Sequence, residues 1–160
     1  MIRFVKCSDA AAVAAIYNDY VLNTTITFET ESVSVCEMER RIADFSSNFP
    51  YFVFEEDGVV LGYAYAHLWK ARAAYSKTWE NTIYIKSDCR RRGIGNRLLT
   101  TLIESCRGRG AHTLIACVTE DNLPSVALHE KHGFLQVSKF SQVGYKFGRW
   151  LGVADFELIL

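Results

Sequence analysis

The sequence predicts a mixed α+β domain: a twisted, mostly antiparallel sheet of about seven strands flanked by about four helices. Three observations predict it. Two β-rich runs flank Asp57-Gly58, a strong short-range hairpin pair. Segments with helical spacing of apolar residues begin at capping residues. From Trp79 onward, strand-like and helix-like segments alternate, as β-α-β units do.

Taken in order, Ile2–Lys6 reads as a short first strand. Ser8 and Asp9 offer N-caps for a helix through Ala10–Tyr20, and the polar stretch from Asn23 to Ser32 interrupts it. Ser34-Val-Cys-Glu37 matches a capping box and starts a second helix, which ends before Pro50. Tyr51–Glu56 and Val59–Trp69 are the hairpin strands, and Trp79–Ile85 is a third β-rich run. Between Gly93 and Arg109, Ile94, Leu98, Leu99, Leu102 and Ile103 recur at helical spacing. Leu114–Thr119 is a strand. Pro124 to His132 is a short helix with proline in its first turn and Gly133 at its stop. Strands near Phe134–Gln142 and Val153–Leu160 complete the order β-α-α-β-β-β-α-β-α-β-β.

The 160 residues make one domain, spanning 1–160, at roughly 100–200 residues per domain. Hydrophobic residues at 49% exclude an intrinsically disordered chain. Eighteen basic residues balance eighteen acidic ones, so no net field steers the chain toward nucleic acid or an anionic membrane. The longest apolar run, Ala10 to Tyr17, is far below the ~20 residues of a membrane span. Charges appear near Met1 before a signal-like apolar region can form, so a cytoplasmic location is expected. Five widely spaced cysteines, with no Cys-x-x-Cys pair, fit that compartment and indicate neither a disulfide framework nor a zinc site. His67, His112 and His132 form no ligand spacing, so no metal is expected.

The informative segment is Lys86-Ser-Asp-Cys-Arg90-Arg-Arg-Gly93-Ile-Gly95-Asn-Arg97. It carries five cationic side chains against Asp88, and its glycines sit where a strand hands over to a helix. Free backbone N–H groups and the helix dipole make such a junction an anion site. Two familiar alternatives fail on spacing. A dinucleotide fingerprint needs a third glycine where Leu98 stands, and a P-loop needs Lys-Ser/Thr after Gly95, where Asn96 stands. A solvated basic turn is the plain alternative.

Arg-x-x-Gly-x-Gly after a strand resembles the coenzyme A loop of the GCN5-related N-acetyltransferases (GNAT). Asn122-Leu-Pro-Ser125-Val-Ala-Leu128-His129-Glu-Lys-His-Gly133-Phe134 resembles a second element of that superfamily. Within it, the chain is similar to the phosphinothricin / methionine sulfoximine N-acetyltransferases. That likeness rests on Ile16-Tyr-Asn18, Thr27-Phe-Glu-Thr30, Trp69-Lys-Ala-Arg72-Ala-Ala-Tyr75, Glu80 before Ile83-Tyr-Ile85, and Gly144-Tyr-Lys-Phe-Gly-Arg-Trp150. Two positions depart: Gly152 stands where an acid is usual, and Trp79 where a small aliphatic residue is usual.

The resemblance implies the GNAT fold, acetyl-CoA as cosubstrate without a metal, and direct transfer to an amine in a ternary complex. Arg90, Arg91, Arg92, Gly93, Ile94, Gly95 and Asn96 would hold the pyrophosphate. Ile83, Tyr84 and Ile85 would pair with the pantetheine arm, and Asn122 and Ser125 would hold the rest of the cofactor. Glu80 is the expected general base, because an α-amine is mostly ammonium at neutral pH and must lose a proton before attack. His129, where many members carry tyrosine, is the expected proton donor to the thiolate, or a cofactor contact. Lys70 and Arg72, expected to share one face of a strand end, suit a carboxylate. Phe28 and Tyr75 would wall the acceptor, with Asn81 and Thr82 beside it. The family also implies a homodimer, a small amino-acid-like amine as partner and a role in detoxification. Two rivals stand beside this reading: transfer to another amine (a peptide N-terminus, polyamine or aminoglycoside), and a non-catalytic acyl-CoA-binding module.

Overall fold

The computed structural model describes residues 1–160. Seven strands form a single sheet in the order β1-β2-β3-β4-β5-β7-β6. They are β1 (Ile2–Phe4), β2 (Tyr51–Glu56), β3 (Val59–Leu68), β4 (Thr78–Ile85), β5 (Thr113–Thr119), β6 (Leu135–Lys146) and β7 (Arg149–Ile159). Every neighbouring pair is antiparallel except β4 and β5. The helices are α1 (Ala10–Asn23), α2 (Val35–Ser46), α3 (Ile94–Gly108) and α4 (Leu123–Lys131).

Helices cover both faces, which explains why β2 is an unbroken apolar run. Tyr51 and Val53 pack in the core under α1 and α2, with Val13, Tyr17 and Ile42. Phe52 and Phe54 pack in the core under α3, with Leu98, Leu102 and Phe156. The Asp57-Gly58 hairpin forms as expected, with both turn residues at positive φ (51° and 77°).

The last hairpin differs from expectation. Its strands run to Lys146 and from Arg149, around a two-residue turn of Phe147 (φ 50°) and Gly148 (φ 74°). Phenylalanine at positive φ carries no turn signal, and register shifts at Gln136/Ser138 and Phe140/Gly144 blur the alternation of β6. Two caps differ as well. Asp9 does not cap α1; its carboxylate takes two bonds from Arg3 and one from the Lys6 N–H. Ser34 caps α2 through the Glu37 N–H at 3.1 Å, but the Glu37 carboxylate turns outward to Arg40 and Arg41.

The feature that positions a site lies between β4 and β5. They pair only from Thr78–Glu80 against Thr113–Ile115. Beyond that the sheet opens into a wedge. Lys86 N–H bonds the Leu61 carbonyl and Trp69 N–H bonds the Thr78 carbonyl. Antiparallel alternation therefore turns the backbone groups of residues 80, 82 and 84 toward β3, and those of Asn81, Ile83 and Ile85 toward the wedge.

Candidate active site

Two cavities meet in the wedge and share Ile26, Ile83, Asn122 and Ser125. The larger, about 570 Å³, runs from the 90–96 loop past Tyr20, Ile85 and Leu128. The smaller, about 250 Å³, is lined by Thr27, Phe28, Glu80, Asn81, Thr82, Tyr84, Cys117, Thr119 and His129 among others.

The loop at the mouth of the larger cavity has the backbone form that an anion needs. Arg91 (φ 61°) and Gly93 (φ 76°) are both left-handed, and Gly93 is the residue before the first turn of α3. Arg90, Arg91, Gly93, Ile94, Gly95 and Asn96 all line the cavity. Arg90 stands 5.1 Å over the Tyr20 ring. Arg92 is turned away, its guanidinium bonded to Glu56 and approaching the Cys89 sulfur. Asn122 caps α4 through the Ser125 N–H at 3.4 Å while its residue lines both cavities.

Side chains on β4 alternate across the sheet. Ile83 and Ile85 lie on the α3 side and border the larger cavity. Tyr84 lies on the α1 side, packed edge-on against Tyr17 and Tyr20, and lines only the smaller cavity. Glu80 shares that side. Burial lifts its carboxyl above the ordinary 4.5; His67, 4.0 Å away, works against that shift and Asp155 adds to it. On the opposite wall the Cys117 residue opens to the cleft, yet close protein surroundings and Asp155 push its thiol up to about 12.

His129 is 2% exposed and already has partners. Nδ1 lies 2.8 Å from the Ser125 carbonyl, and Nε2 lies 2.9 Å from the Asn81 amide nitrogen. Burial lowers its pKa below the ordinary 6.5. With both ring nitrogens engaged, the one proton the neutral ring carries is held at Nδ1 against the Ser125 carbonyl.

Lys70, Arg72 and Tyr75 line neither cavity. β3 ends at Leu68, so the expected strand-end alternation does not exist; the chain bends there instead. Lys70 stacks 3.9 Å over the Trp69 ring, and Lys70 and Arg72 are exposed. The structure adds Tyr20, Ile26, Cys117, Thr119 and Leu128 to the lining. None carries a local signal: Cys117 and Thr119 come in where β5 parts from β4, Tyr20 and Ile26 from α1 and the loop after it, and Leu128 from α4.

An acetyltransferase (GNAT) domain model matches residues 2–153. The phosphinothricin N-acetyltransferase of Alcaligenes faecalis is 41% identical, covering 94% of this chain and 77% of the relative. The L-methionine sulfoximine/L-methionine sulfone acetyltransferase of Salmonella typhimurium is 34% identical, covering 99% and 94%. The crystal structure of a GNAT superfamily phosphinothricin acetyltransferase from Sinorhizobium meliloti, in complex with acetyl-CoA, is also similar. It superimposes with a TM-score of 0.97 at 34% identity, over 100% of this chain and 88% of that one. Wedge, loop and likeness agree: the chain belongs to the GNAT family of N-acetyltransferases.

Proposed function

We propose that the protein transfers the acetyl group of acetyl-CoA directly to the α-amine of a small amino acid or analogue. Phosphinothricin, methionine sulfoximine and methionine sulfone are the acceptors that its relatives' names suggest. The observation that carries this reading is Glu80, which lines the smaller cavity, next to the larger one that runs from the 90–96 loop.

In this reading the loop's N–H groups and Arg90 and Arg91 hold the pyrophosphate. The wedge-facing groups of Ile83 and Ile85 pair with the pantetheine arm. Glu80, directly or through a water, takes a proton from the ammonium. The free amine then attacks the thioester carbonyl, the C–S bond breaks, and the second amine proton passes through water to the leaving sulfur, so that CoA departs as the thiol. A carboxyl held above its ordinary value accepts that proton more readily, as a base near its working pH should. Asn122 and Ser125 border both cavities.

The second reading is another amine. The smaller cavity has no lysine or arginine in its lining, and Asp155 lies close enough to raise Glu80. That favours a cationic acceptor, such as a polyamine, over one with a carboxylate. In the amino-acid reading, Lys70 and Arg72 reach the acceptor's carboxylate from the exposed loop or across a homodimer. The exposed apolar side chains of Val143, Tyr145, Phe147 and Trp150 on the last hairpin support a dimer. Unpaired cysteines suit cytoplasmic work, and detoxification would follow from acetylating a toxic analogue.

The test is CoA release measured across a panel of amino acids, their carboxamides, polyamines and peptides. An enzyme-only blank is needed for the five native thiols. Turnover restricted to free amino acids supports the reading. Equal turnover of the carboxamides removes it in favour of another amine.

A further inference from the structure

Asn81 is 5% exposed, lines the cleft, and its Oδ1 has no hydrogen-bond partner. A buried acceptor left unpaired is costly, so it marks a place where a donor arrives.

A chain of bonds settles which way the amide points. The Ser125 carbonyl can only accept, and it lies 2.8 Å from His129 Nδ1, so that nitrogen carries the proton. The Ser125 hydroxyl, 3.3 Å away, can share it. Nε2 of the neutral ring is then an acceptor, and the Asn81 Nδ2 group donates to it at 2.9 Å. Reversing the amide would set the Oδ1 lone pairs against the Nε2 lone pair. Phe134, edge-on at 5.0 Å, holds the ring in place.

Strand parity identifies the donor. Asn81 lines the smaller cavity, but its side chain lies on the same side of β4 as Ile83, which borders both cavities, and Ile85, which borders the one running from the 90–96 loop. Glu80, where the acceptor amine must come, lies on the other side. The pantetheine arm carries secondary amides, whose N–H groups are donors.

We propose that His129 is a positioning residue: its neutral, Nδ1-protonated ring aims the Asn81 carbonyl to accept an N–H from the pantetheine arm of the cosubstrate. This rests on the acetyl-CoA reading above and deepens it.

Calorimetry with two probes tests it: CoA, and 3′-phospho-ADP, which lacks the pantetheine arm. Asn81→Ala should weaken CoA binding by about 5- to 150-fold, the range for orphaning a buried hydrogen-bonding group. Binding of 3′-phospho-ADP should not change. His129→Phe keeps an aromatic ring against Phe134 and should weaken CoA selectively as well. The double variant should be no worse than Asn81→Ala, because the two act as one unit. Ring-nitrogen NMR of the free protein should report the Nδ1–H tautomer. Unchanged CoA affinity, equal loss of both probes, additive losses, or the Nε2–H tautomer would each overturn the proposal. A rise in KM for the amine alone would do so too, since the donor would then be the acceptor substrate. A parent protein that binds neither probe would overturn the acetyl-CoA reading itself, and the proposal with it.

Discussion

Gly93 and Gly95 lie two residues apart in one loop, yet alanine should act on them in opposite senses. Gly93 sits at φ 76°, and an added Cβ would meet nothing within 4 Å. The penalty is therefore backbone strain, about 1–2 kcal/mol for an L-residue held left-handed. At roughly 2–4 °C per kcal/mol for a chain of this size, Gly93→Ala should lower Tm by about 2–8 °C. The alternative is relaxation of the loop, which turns the N–H groups at the start of α3 away from the cavity. Each such bond to a charged group is worth about 1.5–3 kcal/mol, so the Kd for CoA should rise by about 10- to 150-fold. Gly95 lies inside the first turn of α3 with no positive φ. Its Cβ would rest 3.4 Å from Leu128 and 3.9 Å from Ile83, both ordinary contacts. Gly95→Ala should hold or raise stability, by up to about 1 kcal/mol, because alanine restricts the unfolded chain. Its Kd for CoA should stay near the parent's. Calorimetric melting and CoA titration of both variants provide the assay. If Gly93→Ala bound CoA as tightly as the parent with an unchanged Tm, the left-handed loop would not be the anion site.

Three further perturbations address the acceptor cavity and the frame. An alanine Cβ at Gly144 would overlap the tip of the Phe28 ring, which lines the smaller cavity. Gly144→Ala should push that ring into the cleft, raising KM for the amine several-fold while the Kd for CoA holds. An unchanged KM would exclude Phe28 from the acceptor wall. His67→Ala removes the neighbour that opposes the rise of the Glu80 carboxyl, so the acid limb of kcat/KM should move to higher pH; movement to lower pH would contradict the assignment. The paired Arg3 guanidinium holds the Asp9 carboxyl below its ordinary 3.8. Its contribution is therefore present above pH 3.8 and lost as pH falls through the lower folded value. Asp9→Asn should cost about 1.5–3 kcal/mol at pH 7 by denaturant melts, with the two proteins converging in acid.

Much of this fold was legible because local and global signals agree. The Asp57-Gly58 pair has the turn chemistry its hairpin needs, and the apolar spacing from Ile94 to Ile103 matches the buried face of α3. The Phe147-Gly148 turn has the same geometry without the usual residue, so β6 and β7 reach further toward their turn than sequence suggests. Lys70 and Arg72 illustrate the limit of alternation. It predicts a shared face only while the strand continues, and β3 ends at Leu68. His129 was visible as a residue of the cleft but not as a ring whose nitrogens are both engaged. That depends on Asn81, which is 48 residues away and comes into range only when α4 packs beside the wedge.

The central claim is that Glu80 deprotonates the amine, and the pH dependence of kcat in Glu80→Gln tests it most directly. The parent should show an acid limb centred above 4.5, because burial lifts this carboxyl. The variant keeps the side chain's shape, so CoA should still bind. Turnover at neutral pH should fall on the order of 10²–10⁴-fold, with partial recovery at high pH as free amine accumulates. Full turnover at neutral pH in a variant that binds CoA normally would contradict the account.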